Sequence, residues 1–275
     1  MCDMDQLKLI KLMNELASQG KPFAVATVVK TEGSTLGKPG FKVIIDSDGN
    51  VVEGTLGGAC PESAIVDAAL EAIKTKKPRT LKVFLEDVGS AVTQAIKSAN
   101  LNEVHVETNC GGRMEIFIEP YTPPDRLVII SDGGHNEVAT SLTKLAKMVG
   151  FEVHVIDATG MVEGADEIHK TEDISKFEFK ESDYVVLVTM GRIDIDALTV
   201  LSKKRLAFLG LMASKKRIDD EFEKLRQKGV DGSFLSSIHA PVGADIGAQT
   251  PNEIALSILA EVVAVKHGKH LPHKG

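Results

Sequence analysis

Apolar positions along the chain follow two rhythms. In the first half, short runs rich in β-branched residues are divided by polar turns. "PFAVATVVKT" (22–31) and "FKVIIDSDGNVVEGTL" (41–56) predict strands, with "DSDGN" as a hairpin turn inside the second and "EGSTLGKPG" as the loop before it. Residues 61–75 place Ala64, Ile65, Ala68, Ala69, Ala72 and Ile73 at helical spacing. "TLKVFLED" predicts another strand, 88–99 a helix, and "MEIFIEP" (114–120) a last strand. At the N-terminus, Leu9, Leu12, Met13 and Leu16 share one helical face, and Gly20 marks the stop.

The second half changes period. "RLVIISDGG" is a continuous apolar run ending in glycines, followed by the helical "EVATSLTKLAKMVG" and the strand "FEVHVID", which together make a βαβ unit. "DYVVLVT" and "RLAFLGL" are further near-continuous apolar strands of the kind buried on both faces of a parallel sheet. Between the halves, "YTPPDR" (121–126) sets two adjacent prolines between a strand end and a new apolar run. The predicted fold class is therefore α/β: a mixed α/β domain with a leading helix over 1–122, and a Rossmann-like doubly wound parallel sheet over 123–275.

Composition narrows the classes. With 43% hydrophobic and 26% charged residues the 275-residue chain reads as soluble and globular, and with 4% aromatics and no Trp its cores must be aliphatic. A net charge of −7 counts against a nucleic-acid partner. No apolar run reaches bilayer length, so no membrane association is expected, and the acidic N-terminus reads as an amphipathic helix rather than an export signal. Cys2, Cys60 and Cys110 are an odd set without a C-x-x-C pair, which suggests neither a disulfide framework nor structural zinc and makes a reducing cytoplasm the expected home.

The two internal cysteines each adjoin a Gly-Gly pair. In "GTLGGACPES", Pro61 suits the first helical position, so Cys60 would sit at the N-cap, where free N–H groups and the helix dipole favour thiolate. Gly57 and Gly58 leave room for a flat ligand. In "ETNCGGRMEIF", Gly111 and Gly112 permit close backbone approach beside Cys110, and Arg113 offers a fork for phosphate or carboxylate. Local sequence alone leaves open a small apolar filler at Cys60 and an incidental cysteine in a tight turn at Cys110.

Three further loops belong to the second half. "SDGGHNEVA" (131–139) follows a strand and opens a helix, which makes Gly133, Gly134 and His135 candidate phosphate contacts, and Asp157 ends the next strand 24 residues after Gly133, as a ribose-binding carboxylate would. Ser131 nevertheless occupies the first glycine position of G-x-G-x-x-G. "GLMASKKR" puts Ser214 at a cap with Lys215 behind it, either a phosphate site or a solvated basic helix face. In "HAPVGADIGAQTPNEIALSILAEVVAVKHG", Thr250, Pro251 and Glu253 spell a capping box, and the loop before it offers His239 and Asp245 as ligand contacts, with a structural role for His239 equally open.

Taken in order, "VATVVKTEGST", "GTLGGAC", "CGGRMEIFIEP", "GLMASKKR" and the 239–268 stretch resemble the XdhC/CoxI family, accessory factors that mature molybdenum hydroxylases such as xanthine dehydrogenase and carbon monoxide dehydrogenase. The resemblance implies an XdhC/CoxI domain followed by a Rossmann domain. It also implies a chaperone role without turnover: binding a molybdopterin-type molybdenum cofactor, or its cytosine dinucleotide form, and passing it to the apo-enzyme. A sulfur-donating desulfurase is a further implied partner, and homodimerisation follows by analogy. Cys60 and Cys110 fall on the family's cysteines, Cys60 as the contact to molybdenum through the cofactor. Departures are Ala59 and Pro61 around Cys60, Leu36 and Gly37, and Met190 and Arg192 where the family carries histidines. The alternative from another class is an NAD(P)-dependent oxidoreductase built on the Rossmann half.

Overall fold

The alternation read from the first half builds one six-stranded sheet, and the continuous apolar runs of the second build another. The structure, a computed structural model, describes residues 6–33, 35, 37–57, 62–86, 103–107, 112–269 and 271. Two compact units emerge, Met1–Pro123 and Pro124–Gly275.

The first unit contains α1 (Gln6–Ser18), β1 (Phe23–Gly33), β2 (Lys42–Asp46), β3 (Val51–Gly54), α2 (Glu62–Thr75), β4 (Arg79–Glu86), β5 (Glu103–Glu107) and β6 (Gly112–Tyr121). Its strands lie in the order β3-β2-β1-β6-β4-β5, antiparallel except for the β4–β5 pair. Period-two alternation divides the residues between two faces. Ala24, Ala26, Val28, Val83, Ile116 and Ile118 pack beneath Ile65, Ala69 and Ala72 of α2. Phe23, Val25 and Ile44 pack beneath Leu9 and Leu16 of α1. The β1–β6 register slips between Val28 and Lys30, the mark of a bulge. The β2–β3 turn is held by Asp46, whose carboxylate accepts the N–H groups of Asp48 at 3.0 Å and Asn50 at 2.8 Å. The helix expected over 88–99 falls outside the described residues.

The second unit runs β7 (Arg126–Ser131), α3 (Glu137–Met148), β8 (Glu152–Ile156), β9 (Glu167–His169), a 3-10 turn (Ile174–Lys176), β10 (Tyr184–Val188), α4 (Asp194–Leu201), β11 (Phe208–Leu211), α5 (Lys215–Gln227), α6 (Gly232–Ser237) and α7 (Pro251–Lys266). Its strands are all parallel, in the order β11-β10-β7-β8-β9. The order reverses between β7 and β10, which makes this a doubly wound sheet. Leu127, Ile129, Val153, Val155, Val186 and Val188 face α3 and α7, while Val128, Ile130, Ile156, Val185 and Leu187 face α4, α5, α6 and the 3-10 turn. Burial on both faces explains why these strands read as unbroken apolar runs.

Beyond α6, residues 238–242 lie along the outer edge of β11. His239 N–H donates to Leu209 and its carbonyl accepts from Leu211, each at 2.9 Å, and Val242 N–H donates to Leu211 at 3.0 Å. Gly210 permits this approach, because a Cβ there would stand 2.6 Å from Val242 Cγ2. Helix α7 starts on the anticipated capping box: Thr250 Oγ1 accepts the Glu253 N–H at 3.3 Å, and Glu253 Oε2 accepts the Thr250 N–H at 2.9 Å. No helix among the described residues is long and apolar enough to cross a membrane.

Candidate functional site

In an open parallel sheet the crevice lies at the carboxyl ends of the strands where their order reverses, here between β7 and β10. The loop after β7 carries Asp132, Gly133, Gly134 and His135 to Asn136, which caps α3 by accepting the Ala139 N–H at 3.0 Å. Gly133 and Gly134 have φ of +92° and +81°, a backbone that disfavours side chains. The two loops are laced together across the crevice. Asn136 Nδ2 donates to the Val188 carbonyl at 2.8 Å, and the Met190 N–H donates to Asp132 Oδ2 at 2.8 Å. Arg192 donates to the Asp132 carbonyl and pairs with Glu172 at 2.9 Å.

Behind the β10 loop sits a charged group centred on the last residue of "GLMASKKR". Arg217, in the first turn of α5, points inward, donating to the carbonyls of Thr189 at 3.2 Å and Met212. It also lies 3.7 Å from Asp194 and 3.5 Å from Glu221. Both carboxylates are buried, and Thr189 donates its hydroxyl to Asp194. Asp194 Oδ2 and Glu221 Oε2 have no partner beyond a proton held between the two carboxyls. One guanidinium between two buried carboxylates leaves an excess negative charge, so the site is neutral when one carboxyl keeps its proton. Burial, with Asp194 beside it, pushes the Glu221 carboxyl up to about 7.

Asp157, at the end of β8, is fully buried. Its Oδ1 accepts from Thr159 N–H at 2.7 Å and Gly160 N–H at 2.9 Å, and its Oδ2 has no partner. Thr159 in turn accepts the Gly134 N–H at 3.1 Å, which joins Asp157 to the glycine loop. His135 is exposed, 3.9 Å from Glu137. Ser214 caps α5 by accepting the Arg217 N–H at 3.3 Å, and Lys215 and Asp245 are exposed. His239 Nδ1 lies 2.8 Å from Glu261, whose other oxygen accepts the Gly243 N–H at 2.6 Å, so His239 tethers the 238–243 segment to α7.

In the first unit, Cys60, Cys110, Gly58 and Gly111 lie outside the described residues. Gly57 takes φ +105° directly after the loop from β3, and Gly112 opens β6. Arg113 lines a cleft of about 240 Å³ on the face of the sheet opposite α2, with Lys30, Glu32, Lys82, Phe84 and Glu115. The guanidinium stands 6.0 Å from the Phe84 ring centre and 3.7 Å from Glu32, and Phe84 stacks on His105 at 4.7 Å. Lys30 binds Glu32 at 2.8 Å and holds that carboxyl below its usual range. Three cations against two carboxylates beside an aromatic face would accept an anionic, flat ligand. The sequence motif points to Arg113 but not to Lys30 and Lys82, which reach the cleft only because β1, β4 and β6 are neighbours.

Comparison with known proteins adds kinship to this geometry. The family model described as "XdhC Rossmann domain" matches residues 127–262, and that described as "XdhC and CoxI family" matches residues 16–84. YqeB of Escherichia coli (strain K12), described as uncharacterized, is 30% identical over 92% of this chain and 45% of its own length. A probable xanthine dehydrogenase subunit of Bacillus subtilis (strain 168) is 29% identical over 55% of this chain and 46% of its own. The molybdenum cofactor insertion chaperone PaoD of Escherichia coli (strain K12) is 22% identical over 95% of this chain and 89% of its own. The chain thus spans about half the length of the first two relatives. With one model falling on each structural unit, and the two together taking in most of the sequence, the chain belongs to the XdhC and CoxI family.

Proposed function

We propose that this protein binds a molybdopterin-type molybdenum cofactor and supports its maturation and insertion into a molybdenum hydroxylase. The observation that carries the reading is the likeness to a cofactor insertion chaperone along nearly the whole of both chains. The donor set of the first unit fits such a ligand: Lys30, Lys82 and Arg113 would take its phosphate, and Phe84 offers a flat surface for its ring. Cys60 and Cys110, as thiolates, would supply soft ligands toward molybdenum or sulfur, and the sequence sets Gly57 and Gly58 before the one and Gly111 and Gly112 after the other. The bound cofactor supplies the redox metal centre that the recipient apo-enzyme lacks. A desulfurase as sulfur source, a cytosine dinucleotide form of the cofactor and a homodimeric assembly complete the proposal.

The nicotinamide reading has weaker footing. Ser131 stands at the first glycine position, and Asp157 is buried with one oxygen committed to Thr159 and Gly160. The test is to produce the full chain in a cofactor-making host, purify it without oxygen, and measure molybdenum and pterin per chain. We expect near-stoichiometric pterin, lost in Cys60→Ala and reduced about tenfold or more in Arg113→Ala, with the circular dichroism of both variants unchanged. Protein free of pterin from that host, or calorimetric binding of NAD(P)H in its place, would overturn the reading.

A further inference from the structure

A second cluster of ligating side chains lies at the opposite end of the Rossmann sheet from β11. β8 and β9 pair in parallel, His154 opposite Glu167 and Ile156 opposite His169. Period two therefore brings His154, Glu167 and His169 to one face of the sheet edge. We propose that these three residues bind a divalent transition-metal ion of the zinc class, independently of the molybdenum cofactor.

The distances carry the proposal. His154 Nδ1 lies 3.2 Å from His169 Nε2 and 3.6 Å from Glu167 Oε2, and His169 Nε2 lies 3.4 Å from the same Glu167 oxygen. Zinc holds imidazole nitrogen and carboxylate oxygen at about 2.0–2.2 Å, so tetrahedral ligands stand about 3.3 Å apart. A circle through the three donor atoms has a radius of about 2.0 Å, so one ion just off their plane reaches all three in place of the proton that His154 and His169 share. Among the described residues no other group of three such donors converges this closely.

Surrounding contacts prepare the ligands. Glu152 Oε1 stands 2.9 Å from His154 Nε2; in the tautomer protonated there it accepts that N–H and leaves the Nδ1 lone pair directed at the site, the carboxylate–histidine arrangement that supports metal ligands. Phe177 packs edge-on against both imidazoles, at 6.1 and 4.8 Å, and fixes their planes. The nearby guanidinium of Arg126 works against positive charge at His169, an effect tempered by its bonds of 2.8 and 2.7 Å to Asp183. His154 is buried, His169 half-buried and Glu167 exposed, giving an approach from solvent on the Glu167 side. Two imidazoles and one carboxylate suit zinc, cobalt or nickel over magnesium or calcium, and leave a coordination position for water or another ligand.

The test uses the full chain, stripped with chelator and titrated with Co²⁺, then Zn²⁺. We expect one equivalent of Co²⁺ to give the visible bands of a low-coordinate ion with no thiolate charge-transfer band, and Zn²⁺ to displace it. His169→Ala should weaken Zn²⁺ binding about a hundredfold, and Glu167→Gln and Glu152→Gln about tenfold or more. Glu167 is exposed, so its variant keeps the fold and reports on the ligand alone. No Co²⁺ uptake, a thiolate band, or unchanged Zn²⁺ affinity in folded His169→Ala and Glu167→Gln would overturn the proposal.

Discussion

Replacing Glu221 with Gln should make the Rossmann unit more stable at alkaline pH while leaving it almost unchanged in mild acid. Glu221 shares Arg217 with Asp194 in a buried setting, and its carboxyl rises from an ordinary 4.5 to about 7. The native state therefore holds this proton more tightly than the unfolded chain. Below 4.5 both states are protonated and nothing is lost; between 4.5 and 7 stability falls as pH rises; above 7 the full penalty of an ionised, buried carboxylate is present. The interval from 4.5 to about 7 corresponds to at most about 3 kcal/mol. Because the amide also gives up the ion pair with Arg217, we expect about 1–2 kcal/mol to be recovered by the permanently neutral side chain at pH 8. At roughly 2–4 °C per kcal/mol, the melting transition of Glu221→Gln should rise by several degrees above wild type at pH 8 and coincide with it near pH 5. Calorimetric melts of both proteins across pH 5–8 read this directly. A constant difference between them over that range would refute a retained proton on Glu221.

Two other perturbations bear on the frame of the same unit. Arg126→Ala leaves the fully buried Asp183 without its bidentate partner, and urea unfolding at neutral pH should show a loss of about 3–5 kcal/mol, partly relieved in Arg126→Ala/Asp183→Asn. Thr250→Ala removes the hydroxyl that caps α7 and should cost about 1 kcal/mol by the same assay, with no effect on Zn²⁺ affinity.

Much of the architecture is legible in the sequence because burial and period agree. Leu9, Leu12, Met13 and Leu16 do form the inner face of α1, and "DSDGN" is the β2–β3 turn. The capping box at Thr250 needs only local chemistry, and it forms as spelled. β5 is hidden because its "EVHVE" places charged residues at the open edge of a sheet, where an apolar run is not required. β9 is three residues long and carries too little pattern to read. The site residues are harder for a physical reason. Arg217 ends "GLMASKKR", which the sequence leaves open between a phosphate site and a solvated basic face; its pairing with Glu221 one turn along α5 is local, but only the α4–α5 packing brings it to Asp194. His154 and His169 are separated by a loop whose course sets the β8–β9 register, so their convergence is a tertiary fact. The glycine loop can be placed at the end of β7 from sequence, but its lacing to Met190 and Arg192 depends on β10 crossing over to lie beside β7.

The strip of chain from 238 to 242 has a consequence for how copies of this protein can meet. It consumes the outward-facing amides and carbonyls of β11, so a neighbouring molecule finds no template there on which to extend the sheet. The far flank, β9, is brief and bears Glu167 and His169. Growth of an indefinite ribbon from either side is thereby blocked, and any pairing of two such units must rely on side-chain surfaces, where it can stop at a closed stoichiometry.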